Sequence, residues 1–198
     1  KLLLNNYYYF DTSKHILLNN LTSLKILKIK YDFQQKPINL FIEDFSNIKG
    51  ILNEKGIDRF IVFHPSAQYN FNIYPKNLRD KLLSLLNTLE IPIIVTGGSS
   101  EIDLKIKNEI PDLINIYNFI GETTLKDYLI LSDLSTAYIG MDTLNMHIAA
   151  SQNKRIFAIF GSTKISMWSP WSNELETSAL VNKSMQTYGK NTVFQSSL

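Results

Sequence analysis

The sequence predicts an α/β fold built on a Rossmann-like, doubly wound parallel sheet, and three observations lead there. From residue 58 onward, short apolar runs alternate with helical stretches five times. The clearest runs, Phe60-Ile61-Val62-Phe63 and Ile156-Phe157-Ala158-Ile159-Phe160, are continuous rather than alternating, as strands are when helices cover both faces of a sheet. Each unit then passes through a loop rich in Gly, Ser or Thr, and in open parallel sheets ligands bind outside the carboxyl ends of the strands.

Taken in order, Ser13 to Ile29 carries Ile16, Leu17, Leu21, Leu24 and Leu27 at helical spacing and predicts an amphipathic helix. Pro37 ends any continuation, and Ile38 to Ile42 alternates weakly like a short strand. Asp44 is placed to cap a helix running to Lys55, where Gly56 stops it. The run at 60–63 opens the first βα unit, and Pro75 starts a helix to Leu89. Ile93-Ile94-Val95 leads through Gly97-Gly98 into a helix ending at Ile110. Leu113-Ile114-Asn115-Ile116 reads as a third strand, and Thr124 caps the helix after it. Residues 136–139 form the fourth strand, followed by Asp142 and a helix from Thr143 to Ser151, and residues 156–160 form the fifth. Beyond Pro170 the sequence is polar and predicts an irregular tail.

The chain has 198 residues, 44% hydrophobic, enough for a sizeable core without staples. Twenty basic against 18 acidic residues give +2, too little for a nucleic-acid or membrane-surface footprint. Without cysteine there are no disulfides, thiolate metal sites or cysteine nucleophiles. Asn, Ile and Lys are over-represented while arginine occurs three times, so motif positions can carry Lys or Asn in unusual places. No apolar stretch approaches the roughly 18 residues of a membrane span. The first residue is Lys1 rather than Met, and the chain reads as a piece of something longer.

The strand-end loops are His64-Pro65-Ser66-Ala67, Thr96-Gly97-Gly98-Ser99, Gly121-Glu122-Thr123-Thr124, Gly140-Met141-Asp142-Thr143 and Gly161-Ser162-Thr163-Lys164. Small residues let backbone amides approach an anion, and hydroxyls donate to phosphate oxygens. A helix opening at Thr143 adds free N–H groups and the positive end of its dipole. The default ligand is therefore a phosphate-bearing small molecule, with ordinary turn chemistry as the plain alternative. Rival signatures are missing: there is no P-loop, no G-x-G-x-x-G after the first strand, no H-E-x-x-H and no G-x-S-x-G. His15, His64 and His147 fall on three separate elements, which argues against a transition-metal site.

One stretch is more specific. Gly140-Met141-Asp142-Thr143-Leu144-Asn145-Met146-His147-Ile148-Ala149-Ala150, followed by Arg155 to Phe160 and Gly161-Ser162-Thr163, resembles the family nine glycosyltransferases, the bacterial heptosyltransferases. Their hallmark is D-[ST]-G-x-x-H-[LIV]-A-A, an apolar strand, then [FY]-G-[PS]-T. Thr124-Leu125, Gly97-Gly98, Phe63-His64-Pro65-Ser66-Ala67 and Tyr74-Pro75 match further family elements in order. Trp168-Ser169-Pro170-Trp171 is similar to the W-x-P-W of enzymes like the third core heptosyltransferase. The matching elements cover about residues 58 to 171.

The resemblance implies the C-terminal, donor-binding domain of a GT-B glycosyltransferase. It implies an inverting transfer of heptose from an ADP-heptose-like donor to the lipopolysaccharide core or a related surface glycan, with no essential metal and no cofactor. Carried over, Asp142 would hold sugar hydroxyls, and Thr143 with the amides of Leu144 and Asn145 would meet the diphosphate. His147 would lie one turn along the same helix face, and Ser66, Thr123, Thr163 and Lys164 would complete the donor site. Each has a plainer reading: Asp142 as a helix N-cap, His147 as a packed core residue, Ser66 and Thr163 as turn hydroxyls, and Trp168 and Trp171 as packing. Three positions depart from the family: Leu144 replaces a glycine, Asn72 replaces a lysine, and Lys164 stands where aspartate is common. These bear on the identity of the donor more than on the fold. Lys164 either supplies the cation missing at Asn72 or is a solvent-facing lysine.

In this family the catalytic base and the glycolipid acceptor site belong mainly to an N-terminal domain, so no catalytic residue is assigned in this chain. The expected division is 1–57 as inter-domain connection with flanking helices, 58–171 as the nucleotide-sugar-binding domain and 172–198 as an irregular tail. The resemblance also implies a cytoplasmic protein, with a peripheral position at the inner membrane face left open. Two alternatives stay open: a degenerate, non-catalytic sugar-nucleotide module, and another GT-B sugar-nucleotide enzyme such as an epimerase.

Overall fold

The computed structural model describes residues 7–31, 46–171 and 192–196. Their elements run α1 (Ile16–Ile26), α2 (Ser46–Glu54), β1 (Ile61–His64), a 3-10 turn (Asn70–Asn72), α3 (Lys76–Asn87), β2 (Ile93–Val95), α4 (Glu101–Glu109), β3 (Ile116–Asn118), α5 (Leu125–Leu134), β4 (Ala137–Met141), α6 (Leu144–Ser151), β5 (Arg155–Phe160), α7 (Ile165–Trp168) and β6 (Thr192–Ser196). The strands form one sheet in the order β3-β2-β1-β4-β5-β6. β1 pairs in parallel with β2 and β4, β2 with β3, and β4 with β5, so the runs expected at 60–63, 93–95, 136–139 and 156–160 are all parallel strands.

The continuous apolar runs are explained by two cores. Val62, Ile94, Tyr138 and Ala158 pack with Leu131 of α5 and Met146 of α6. Their strand neighbours Phe63, Ile93, Val95 and Ile159 pack instead with Leu83 of α3 and Ile106 of α4. Successive residues point to opposite faces, and both faces are covered, so the middles of the strands are apolar throughout. Between α3 and α4 the buried Arg79 donates from Nη2 to Glu109 at 2.8 Å, which pairs its charge.

The structure corrects the sequence reading at three places. The third strand lies at Ile116–Asn118 rather than 113–116. Asn115 is held by Asn87, whose Oδ1 accepts its backbone N–H at 3.0 Å, and Ile114 is 85% exposed, so the apolar run before the strand is a turn. The helix expected over 13–29 is shorter. His15 caps α1 by accepting the Leu17 amide on Nδ1, and Lys28 adopts a positive φ of 56° just after its end. The tail expected to be irregular contributes β6, which pairs antiparallel with β5. An edge strand such as β5 offers unpaired backbone groups, and pairing them decides the conformation of a segment whose own sequence is ambiguous. The strand expected at 38–42 and the cap expected at Asp44 lie outside the described residues.

The Nε2–H of His15 donates to the Ser169 carbonyl at 2.8 Å, and its ring lies 4.8 Å from that of Trp171, so α1 is pinned to the chain beyond β5. Trp171 thus packs against the start of α1. Among the described residues no helix is long and apolar enough to cross a membrane.

Candidate functional site

The strand order reverses between β1 and β4, so the connections leaving these two neighbours run in opposite directions and open a crevice above their carboxyl ends. A cleft of about 650 Å³ occupies this place. Of the residues singled out from sequence, Ser66, Asp142, Thr143, Leu144, Asn145, His147 and Thr163 all line it. They arrive from the loop after β1, from the β4–α6 turn and from the loop after β5. Thr123 does not join them; it lines a smaller neighbouring hollow of about 130 Å³ with Gly97, Thr124 and Asn145. Lys164 is exposed and is not among the residues lining the cleft.

The backbone comes closest where β1 meets β4. His64 pairs with Gly140, and a Cβ on Gly140 would sit 2.4 Å from the His64 carbonyl oxygen. Only glycine fits there, and the close approach brings the two loops onto one crevice. Asp142 is not the N-cap of α6; Thr143 holds that position, without a side-chain capping bond. Its buried hydroxyl has no well-formed hydrogen bond within the protein. The first N–H groups of a helix have no partner inside it, so the amides of Leu144 and Asn145 at the start of α6 are available to an anion. Leu144 keeps its side chain 60% exposed along the cleft.

The other glycine loops differ from this one. At both Gly97 and Gly98 an added Cβ would meet the Asp103 carboxylate at 3.1 Å, so these glycines make room for an acid and not for a phosphate. Asp103, nearly buried, accepts from the Ser100 hydroxyl at 2.6 Å and lines the cleft. Sequence reasoning passed over Asp103 and Ser100, although Ser-x-x-Asp at a helix start after Gly-Gly is a capping pattern that marks the pair. At Gly161 the space is filled by Asn72, whose Oδ1 would lie 2.6 Å from an added Cβ. That oxygen accepts from the Ser162 amide at 3.3 Å and from the Ser162 hydroxyl at 3.1 Å. Asn72 thus clamps the loop after β5 to the loop after β1. Asn72→Ala is expected to cost about 1 kcal/mol of stability, the usual worth of such bonds; a urea titration showing no change would contradict the clamp.

Burial sets the charges of the site. Asp142 is pushed above the ordinary carboxylate range by burial, and the Thr163 hydroxyl opposes this. Burial lowers His147, and the nearby His15 lowers it further. His147 Nε2 stands 3.9 Å from Asp142 Oδ1. Burial thus disfavours the charged form of each. His64, quoted above only as part of a motif, proves to be a hub. Its Nδ1 lies 3.0 Å from the Thr96 carbonyl oxygen and 2.8 Å from the Asn145 side-chain amide, joining β1, the end of β2 and α6. The Asn145 side chain is therefore engaged, and its backbone N–H is what it presents to the α6 terminus.

Burial drives the His64 pKa from 6.5 down to about 4, and the charge of Asp103 opposes it. Below pH 6.5 the unfolded chain gains a proton that the folded one excludes, so this stability is complete above 6.5 and is lost toward 4. Moving from pH 7 to pH 5 is expected to cost about 2 kcal/mol through this residue alone. Urea unfolding at the two pH values checks it, and His64→Gln should flatten that part of the dependence.

Residues 12–197 match the sequence profile of glycosyltransferase family 9 (heptosyltransferase). The chain belongs to that family. Among curated relatives, family 9 is represented by lipopolysaccharide heptosyltransferase 3 of Escherichia coli K12, 27% identical over 166 residues, which are 81% of this chain and 48% of that protein. The chain thus spans about half the length of the curated relatives it matches. A family 9 glycosyltransferase from Veillonella parvula superposes with a TM-score of 0.70 at 16% identity, covering 86% of this chain and 51% of that one. The E. coli heptosyltransferase WaaC solved with ADP gives 0.62 at 14% identity, covering 86% and 52%. These likenesses establish the fold, an α/β, Rossmann-like parallel sheet shared with glycosyltransferases of GT-B architecture.

Proposed function

We propose that this chain is the donor-binding half of an inverting, metal-independent glycosyltransferase whose cleft takes a nucleotide-diphospho-sugar of the ADP-heptose kind. The observation that carries the reading is the mouth of α6. There an uncapped helix N-terminus, the Thr143 hydroxyl and the Asp142 carboxylate face one cleft. The diphosphate lies against the amides of Leu144 and Asn145, where the helix dipole favours negative charge. Asp142 lines the same cleft and accepts from sugar hydroxyls. Asp103, over Gly98, is suited to the ribose diol, since a carboxylate accepts from two adjacent hydroxyls. Two solved relatives are described as complexes with ADP and with an ADP-heptose analogue, which supports the choice of nucleotide.

An inter-domain connection within residues 1–57, a nucleotide-sugar-binding domain over 58–171 whose sheet is completed by β6, a catalytic base and glycolipid acceptor site in a preceding domain, and action at the cytoplasmic membrane face complete the reading. In transfer the nucleotide leaves with added negative charge, and the fixed amides of α6 stabilise that charge without a metal. Calorimetric titration of the intact protein with ADP and ADP-heptose tests the reading: both bind, and Asp142→Asn weakens ADP-heptose more than ADP. No binding of either ends it. The 198 residues alone are expected to bind donor without releasing ADP to a core acceptor, and turnover by them would contradict the division of labour. A non-catalytic module is the second reading, favoured by Asn72, which serves as a clamp rather than a cation, and by the exposed Leu144 at the phosphate end. Donor binding by an intact protein that transfers nothing would select it.

A further inference from the structure

The turn after β1 carries two aromatic rings that neither core uses. Tyr69 and Phe71 flank Asn70 in the 3-10 turn, and their rings stack with centroids 5.3 Å apart and planes 7° from parallel. They are 54% and 61% exposed. Leaving so much apolar ring area in water is unfavourable, and a chain with two full cores has no packing reason for it. The stack stands between two hollows. Tyr69 lines the cleft with Asp142, His147 and Trp168, while Phe71 lines a separate groove beside Pro75 and Lys76. Phe71 therefore backs Tyr69 from outside the cleft.

The ring is also held in place. The next residue, Asn72, is bonded to Ser162 across the cleft wall, so the turn is tied at one end to the loop carrying Thr163. A ring fixed by a stacked neighbour and an anchored backbone loses little freedom when a ligand covers it. An aromatic face beside a carboxylate and an imidazole matches a pyranose ring, which has an apolar face of C–H bonds and a rim of hydroxyls. We propose that Tyr69, backed by Phe71, is the stacking surface for the donor's sugar ring and helps set which sugar is accepted. The inference rests on the nucleotide-sugar reading of the same cleft and deepens it.

The test compares ADP with ADP-heptose on the intact protein by calorimetric titration. In Tyr69→Ala, ADP-heptose affinity is expected to fall about fivefold, the scale of an aromatic stacking contact, while ADP affinity is unchanged. Tyr69→Phe keeps the ring and should bind both as the wild type does. Both substitutions are at an exposed position, and an unchanged melting temperature confirms folding. Unchanged ADP-heptose affinity in Tyr69→Ala overturns the proposal. Equal losses for ADP and ADP-heptose also overturn it, because the ring then contacts the nucleotide. A loss in Tyr69→Phe as large as in Tyr69→Ala assigns the effect to the hydroxyl and overturns stacking. If wild type binds ADP but not ADP-heptose, the sugar platform fails while the nucleotide site stands. If it binds neither, the nucleotide reading fails and takes this inference with it.

Discussion

Replacing Gly140 with alanine is expected to destabilise the protein by about 3 kcal/mol, the upper range for forcing extra volume into a packed interior. The added Cβ would lie 2.4 Å from the His64 carbonyl oxygen and 2.8 Å from the Tyr138 hydroxyl. The nearer obstacle is backbone in the middle of a parallel ladder, where His64 pairs with Gly140, so it cannot swing aside as a flexible side chain would. Relief requires β1 and β4 to separate at their carboxyl ends. That movement carries Asp142 and the start of α6 away from His64 and Ser66, so nucleotide affinity should fall along with stability. Gly161→Ala is the useful contrast. There the nearest atom is the Asn72 side-chain oxygen, which can rotate out, and the cost is limited to the loop clamp. Urea unfolding of the two variants checks the ranking, and equal stability of Gly140→Ala and wild type would refute it.

Asp142→Asn is expected to reduce donor affinity or transfer rate on the order of a hundredfold, as loss of hydrogen bonds to a charged group does. Its stability should hold or rise. Burial raises the folded-state pKa of Asp142 above its unfolded value, which means that the ionised carboxylate opposes folding at neutral pH. The fold tolerates this unfavourable charge, with the Thr163 hydroxyl giving partial relief, and such tolerance is characteristic of sites kept for function. Asparagine removes the charge while keeping the shape, so the two effects should run in opposite directions. A variant that loses stability and leaves ligand affinity unchanged would mark Asp142 as structural.

Much of the site was legible because its chemistry is local. Asp142 to His147 lie on one turn and one helix face, and helical geometry alone puts Thr143 and His147 on the same side. Residues brought in from other strands were read less well. Asp103 was hidden because its position over Gly98 depends on how α4 packs. His64 was seen as motif and not as hub, since its partners Thr96 and Asn145 are 32 and 81 residues away. In sequence Lys164 could be a substitute cation or a solvent-facing lysine; it is exposed at the start of α7 and is not among the residues that line the cleft.

By itself the sequence determined the parallel sheet, the position of most strands and helices, and the glycine-bearing turns at the carboxyl ends. Those features follow from periodicity, capping and burial on two faces, which act over a few residues. The tertiary structure alone decided which turns could face an anion. Asp103 occupies the space beside Gly97 and Gly98, Asn72 fills that beside Gly161, and the start of α6 stays uncapped by a side chain on the cleft. It also decided that residues 192–196 are a strand, because the unpaired edge of β5 is a property of the assembled sheet and of no segment within it.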